Sequence, residues 1–147
     1  MVPESLERLG EDTPSSFLDP GLLAAITGIT HERIARDRAV FGSLLETFVF
    51  SEVLKQSGWL DDRYAISHYR DKDQDEVDLV VENEAAELVG IEVKASATVE
   101  TADFKGLRKL AGAAGQALRL GVVLYDGTYT VPFGDRLFAA PVSCVWA

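Results

Sequence analysis

Between Val40 and Tyr125 the hydrophobic spacing of the chain alternates between that of a helix and that of strands, and few folds accommodate the order in which it does so. Phe41, Leu44, Leu45, Phe48, Val49, Val53 and Leu54 recur at intervals of three and four, which predicts a helix from Val40 to Ser57 with a wide apolar face, closed by Gly58. Tyr64 to Arg70, Val77 to Val81 and Leu88 to Ala95 are rich in β-branched and aromatic residues and predict three successive strands. The polar run Asp71-Lys72-Asp73-Gln74-Asp75 suits an exposed hairpin turn between the first two. Helix returns at Ala102, where Thr101 can cap free backbone N–H groups and Asp103 places negative charge in the positive first turn; its apolar face is Phe104, Leu107 and Leu110. Leu120 to Tyr125 reads as a buried strand, and Asp126-Gly127 is expected to turn the chain into another at Thr128 to Phe133. Helix, three strands, helix, strand, strand predicts an α/β sandwich: a mixed central sheet flanked by helices.

At 147 residues, 47% of them hydrophobic, the chain is long enough for one domain with a real core. Residues 1–16, rich in Pro, Ser and acids, read as a flexible lead-in, so the domain is expected over 17–147. Asp19-Pro20-Gly21 is a turn signal ahead of a short helix from Leu22. Cys144 is the single cysteine, which excludes an intrachain disulfide and a Cys-rich zinc site. The acidic first thirty residues do not resemble a signal peptide, and the best apolar stretch, Leu22 to Ile29, is too short to span a bilayer. A cytoplasmic protein with no membrane association is expected. His31 and His68 are too far apart in sequence for a helical zinc pair, no serine sits in a nucleophile elbow, and Trp59, Trp146 and the phenylalanines are spaced like core.

The segment Asp61 to Glu92 holds eleven acids against three bases. Most form a solvated face, but Asp78 lies inside the apolar run Val77-Asp78-Leu79-Val80-Val81 and Glu92 inside Ile91-Glu92-Val93-Lys94. Burying a carboxylate in a strand is costly unless a cation or hydrogen bonds compensate. If the two strands are antiparallel neighbours, the carboxylates converge and cannot comfortably both ionise without a cation between them. Mg²⁺ or Mn²⁺, which prefers oxygen ligands and keeps several waters, is the natural partner. Strand alternation puts Lys94 on the same face as Glu92, close enough to help activate and orient an attacking water. The alternative is a structural Glu92–Lys94 or Asp78–Lys94 ion pair at a sheet edge.

Glu76-Val77-Asp78-Leu79-Val80, followed by Ile91-Glu92-Val93-Lys94-Ala95, resembles the Asp…Glu-x-Lys signature of the PD-(D/E)xK nuclease superfamily, whose restriction-endonuclease-like core is α-β-β-β-α-β. Phe17-Leu18-Asp19-Pro20-Gly21-Leu22, Leu45-Glu46-Thr47-Phe48-Val49, Tyr69-Arg70-Asp71-Lys72-Asp73, Gly121-Val122-Val123-Leu124-Tyr125-Asp126-Gly127 and Val131-Pro132-Phe133-Gly134 resemble, in order, one branch. That branch is domain of unknown function 4143, a nuclease-like domain at the C-terminus of many AAA-type ATPases. The resemblance implies a metal-dependent deoxyribonuclease, with Asp78 and Glu92 as metal ligands, the Val93 carbonyl as a further ligand and Lys94 as the catalytic lysine. It also implies a helical glutamate in the site. Glu46 matches it, Glu52 is the rival on the same helix, and an ordinary surface glutamate is the alternative. Arg70 matches a family arginine that could contact phosphate or neutralise nearby carboxylates.

Two features depart from this picture. No Gly-x-x-x-x-Gly-Lys-Ser/Thr phosphate loop occurs, so the chain is read as a stand-alone version or an excised piece. A net charge of −10 also opposes DNA binding. Lys94 to Arg119 carries a local excess of bases, and Lys105, Arg108 and Lys109 could face DNA, unless they form a routine solvated helix face. A competing function is a catalytically inactive nuclease-fold module that binds a partner AAA-type ATPase or forms a homo-oligomer. A nuclease requires Glu46, Asp78, Glu92 and Lys94 around one open point.

Overall fold

Residues 6–8 and 19–146 are described by the structure, a computed structural model. Of the lead-in, Leu6–Arg8 forms a strand, β1; the rest of residues 1–16 lies outside the described residues. Helix α1, Pro20–Thr27, starts where Asp19 accepts a hydrogen bond from the Leu22 amide at 2.9 Å and stops at Gly28, whose φ of 64° is left-handed. A six-residue helix, α2 (His31–Arg36), then α3 (Arg38–Trp59) follow, the latter capped by Asp37 through the Ala39 amide at 3.0 Å. Helix α2 is too short for its periodicity to be read in the sequence. Strands β2 (Tyr64–Arg70), β3 (Glu76–Asn83) and β4 (Leu88–Lys94) stand where the alternation predicts them.

A 3-10 turn, Thr101–Phe104, leads into α4, Lys105–Ala114. Its cap differs from expectation. Glu100, not Thr101, occupies the cap position, and it exchanges hydrogen bonds with Asp103 in a reciprocal capping box. Strand β5 (Leu118–Tyr125), strand β6 (Val131–Gly134), a strand absent from the sequence reading, β7 (Leu137–Pro141), and a 3-10 turn at Val142–Trp146 complete the chain.

These strands form one seven-stranded mixed sheet in the order β1-β2-β3-β4-β5-β7-β6. β1 to β4 pair antiparallel, β5 runs parallel to both β4 and β7, and β6 pairs antiparallel with β7. The Asp126-Gly127 turn therefore does not make a hairpin of β5 with the next strand. β7 buries Leu137, Ala139 and Ala140 and takes the inner place, while β6, which contains Pro132 and is largely exposed, takes the edge.

The helices cover both faces of this sheet, as an α/β sandwich requires. On one side Leu45 and Val49 of α3 pack on Leu79, Ile91, Val93, Leu124 and Ala140. On the other, Leu107 and Leu110 of α4 join Val77, Val80, Leu88, Leu118 and Val123. That helix packs directly against glycines of the sheet. Gly90 and Gly121 are register partners on β4 and β5, and a Cβ on Gly90 would stand 2.7 Å from a Leu107 methyl. A Cβ on Gly106 would stand 1.9 Å from the Glu76 carbonyl oxygen, so only glycine lets α4 rest on the start of β3. The two tryptophans depart from the expected core. Trp59 is 77% exposed at the end of α3, and Trp146 is 55% exposed, its ring meeting Phe48 edge-on. Among the described residues no helix is long and apolar enough to cross a membrane.

Candidate functional site

Asp78 and Glu92 come together for two reasons. β3 and β4 pair with Leu79 opposite Ile91 and Val80 opposite Gly90, so continuing that register brings Asp78 to Glu92. In addition, Tyr69 pairs with Val77 but Ser67 pairs with Val80, which leaves Asp78 and Leu79 opposite the single residue His68. This is a β-bulge, a device that re-aims side chains locally. Its effect shows in the core: Val77 enters the α4 side whereas Leu79, two residues on, enters the α3 side.

The two carboxylates are held through each other's strands. Asp78 Oδ2 accepts a hydrogen bond from the Val93 amide at 2.7 Å, and Glu92 Oε2 accepts a longer one, 3.4 Å, from the Asp78 amide. Burial pushes the Asp78 carboxyl up to about 7; the Val93 amide opposes this, and the charges of Glu46 and Glu76 add to it. Burial likewise pushes Glu92 up to about 8, reinforced by Asp78 and, more weakly, by Glu46 and Glu76. The two titrate as a pair that retains protons ordinary carboxylates release.

Glu46 lies on the exposed side of α3, its carboxyl raised by partial desolvation and by the charge of Glu76. It acts on both members of the pair. Glu52, its rival, is instead tied to Lys55 at 2.8 Å. Glu76 is a charge beside the pair that sequence reasoning missed, leaving it among the acids of the solvated face. Its position two residues before Asp78 in a strand was the available signal. Its carboxylate forms an ion pair with Arg70, directly opposite on β2, so Arg70 neutralises a carboxylate beside the pair.

Lys94 follows Glu92 on the same side of β4, but its ammonium pairs with Asp103, which also accepts the Glu100 amide at 2.6 Å. Asp103, assigned from sequence to the helix dipole alone, is thus the residue that holds Lys94. Among the described residues no three His, Cys, Asp or Glu side chains gather where they could hold one metal ion, so Glu46, Asp78 and Glu92 do not form a three-carboxylate cage. What the site offers is a two-carboxylate pair with Val93 beside it. An all-oxygen set of that kind fits a hard divalent ion that keeps most of its waters.

The basic candidates of α4 are engaged. Lys105 pairs with Asp75 at 2.8 Å, and Lys109 stands among Asp73, Asp71 and Asp75 at 2.8, 3.2 and 3.7 Å. Asp73 and Asp71 raise the Lys109 ammonium well above its ordinary value. Arg108 donates to the carbonyls of Thr101 at 2.7 Å and Phe133 at 3.4 Å.

Fold and site together define an α/β domain with a half-buried, proton-retaining carboxylate pair across β3 and β4, beside the bulge in the β2–β3 pairing. The family model described as "Domain of unknown function (DUF4143)" matches residues 41–145, and the chain belongs to that family. A search of curated proteins found no match.

Proposed function

We propose that this chain is a PD-(D/E)xK nuclease-like domain whose reaction is metal-dependent hydrolysis of a DNA phosphodiester. The observation that carries the reading is the Asp78–Glu92 pair: two half-buried carboxylates side by side, next to a bulge, with no cation of the protein between them among the described pairs. Residues this costly to bury are retained where charge is used. Asp78, Glu92 and the Val93 carbonyl would hold Mg²⁺ or Mn²⁺, with Glu46 reached through water. The bound ion would supply Lewis acidity toward water and phosphate oxygens. The chain's own contributions are separate. The Val93 amide fixes the Asp78 carboxylate across the two strands. Lys94 lies on the same side of β4, where its ammonium can orient water and stabilise charge on a phosphate once Asp103 releases it.

The second reading is a non-catalytic module docking on a partner ATPase or a second copy. The Lys94–Asp103 pair and the engaged bases of α4 favour it.

Calorimetric titration of Mn²⁺ or Mg²⁺ into the protein and into Asp78→Asn, beside cleavage assays on plasmid and single-stranded DNA, separates the two. Binding and cleavage that both vanish in the variant support the nuclease. No binding at millimolar ion, with DNA intact throughout, overturns it and leaves the docking module.

A further inference from the structure

The turn between β2 and β3 carries three aspartates, and it is rigid. The Asp71 amide bonds the Asp75 carbonyl at 3.0 Å, the Gln74 amide bonds the Asp71 carbonyl at 3.1 Å, and Asp71 Oδ1 accepts the amides of Asp73 and Asp75. Opposite it, Thr101, Ala102, Lys105, Arg108 and Lys109 line an open hollow of about 520 Å³ on α4. Gly106 seats α4 on the Glu76 carbonyl, immediately after the turn, so turn and hollow are brought together by backbone packing rather than by the ion pairs themselves.

Within the hollow the three cations are not equivalent. Lys105 and Lys109 are covered by Asp75 and Asp73. Arg108 has no carboxylate partner among the described pairs; two backbone carbonyls orient its guanidinium, which lies 5.8 Å from the centre of the Phe104 ring. The Lys109–Asp73 pair is exposed, with side-chain exposures of 41% and 52%, and such a pair is weak and screened by salt, whereas Asp71 and Asp75 are only 11% and 13% exposed. An oriented arginine beside two lysines is a receptor for phosphate groups, and here carboxylates of the turn already hold both lysines.

We propose that the β2–β3 turn is an intramolecular competitor of the phosphodiester backbone: nucleic acid that binds at the α4 hollow takes Lys109 by displacing Asp73. The identity of the ligand rests on the nuclease reading above; the competition rests on the geometry of turn and hollow. It accounts for a basic helix on a protein of net charge −10, since the turn shields the hollow until a ligand of higher charge density arrives.

The test is binding of a fluorescent 20-nucleotide single strand, and of its duplex, to the full chain in EDTA, so that neither metal nor cleavage enters. Asp73→Asn removes a covering charge whose side chain makes no bond within the turn. Glu84→Gln makes the same charge change in the exposed turn at the opposite end of β3. Asp73→Asn is expected to tighten binding about fivefold or more and to steepen the salt dependence by about one released ion. Glu84→Gln should stay close to wild type, and adding Lys109→Gln to Asp73→Asn should cancel much of the gain. Equal gains for Asp73→Asn and Glu84→Gln would show a general charge effect and overturn the proposal, as would no binding by any variant. Metal binding at Asp78 is scored independently: no gain from Asp73→Asn with retained Mn²⁺ binding refutes this inference alone, and a gain without Mn²⁺ binding refutes the catalytic reading alone.

Discussion

Asp78 and Glu92 hold their protons several pH units beyond an ordinary carboxylate, and this ties stability to pH with a definite sign. Their folded values, about 7 and about 8, lie above those of the unfolded chain, so the native state binds more protons between about pH 4 and about pH 8. The stability they contribute is present on the acid side and is lost as pH rises through the folded values. The melting temperature of the metal-free protein should therefore be higher at pH 5.5 than at pH 8. Asp78→Asn keeps an acceptor for the Val93 amide while removing one of the crowded charges, so it should melt higher than wild type at pH 8. On the proposed metal site, excess Mn²⁺ should raise the wild-type melting temperature at pH 8 and leave Asp78→Asn unmoved, since an ion held by the native pair stabilises only the folded state. A flat pH profile in wild type would mean the pair is solvated and ionised like surface acids.

Two glycines of α4 make opposite predictions at the scale of the element. Gly106 faces the Glu76 carbonyl so closely that an added methyl requires α4 to lift off β3. Gly106→Ala should destabilise by about 2 kcal/mol or more despite alanine's better helix propensity. Gly112 sits on the same helix with open space around it, and Gly112→Ala should stabilise by about 0.5–1 kcal/mol. Urea denaturation of both variants checks the pair. The contrast explains what the sequence conveyed about this helix: its apolar spacing announced Phe104, Leu107 and Leu110 as the buried face, but nothing local distinguishes a glycine that touches a strand from one that faces water.

In the whole molecule the C-terminal turn closes the α3-side core. Val142 and Val145 pack into it, the Gln56 amide bonds the Val145 carbonyl at 2.5 Å, and Trp146 meets Phe48. Truncation after Pro141 should cost about 2 kcal/mol or more by uncovering α3, read as a lower midpoint in urea. An unchanged midpoint would show that this turn is dispensable cover. Periodicity is a local property, so the sequence by itself determined the order of helices and strands from α3 to β5, the α/β class, and the presence of two carboxylates inside apolar strands. Pairing is not local. Only the tertiary structure decided that β7 separates β5 from β6, because inner and edge positions depend on which strand can bury both faces. Only it placed Asp78 at a bulge, since the extra residue on β3 exists relative to β2. It also gave Lys94 to Asp103 and Lys109 to the β2–β3 turn. A charged side chain spends its charge on whichever partner the packed backbone brings within reach, and that reach is set by helices resting on glycines far away in sequence.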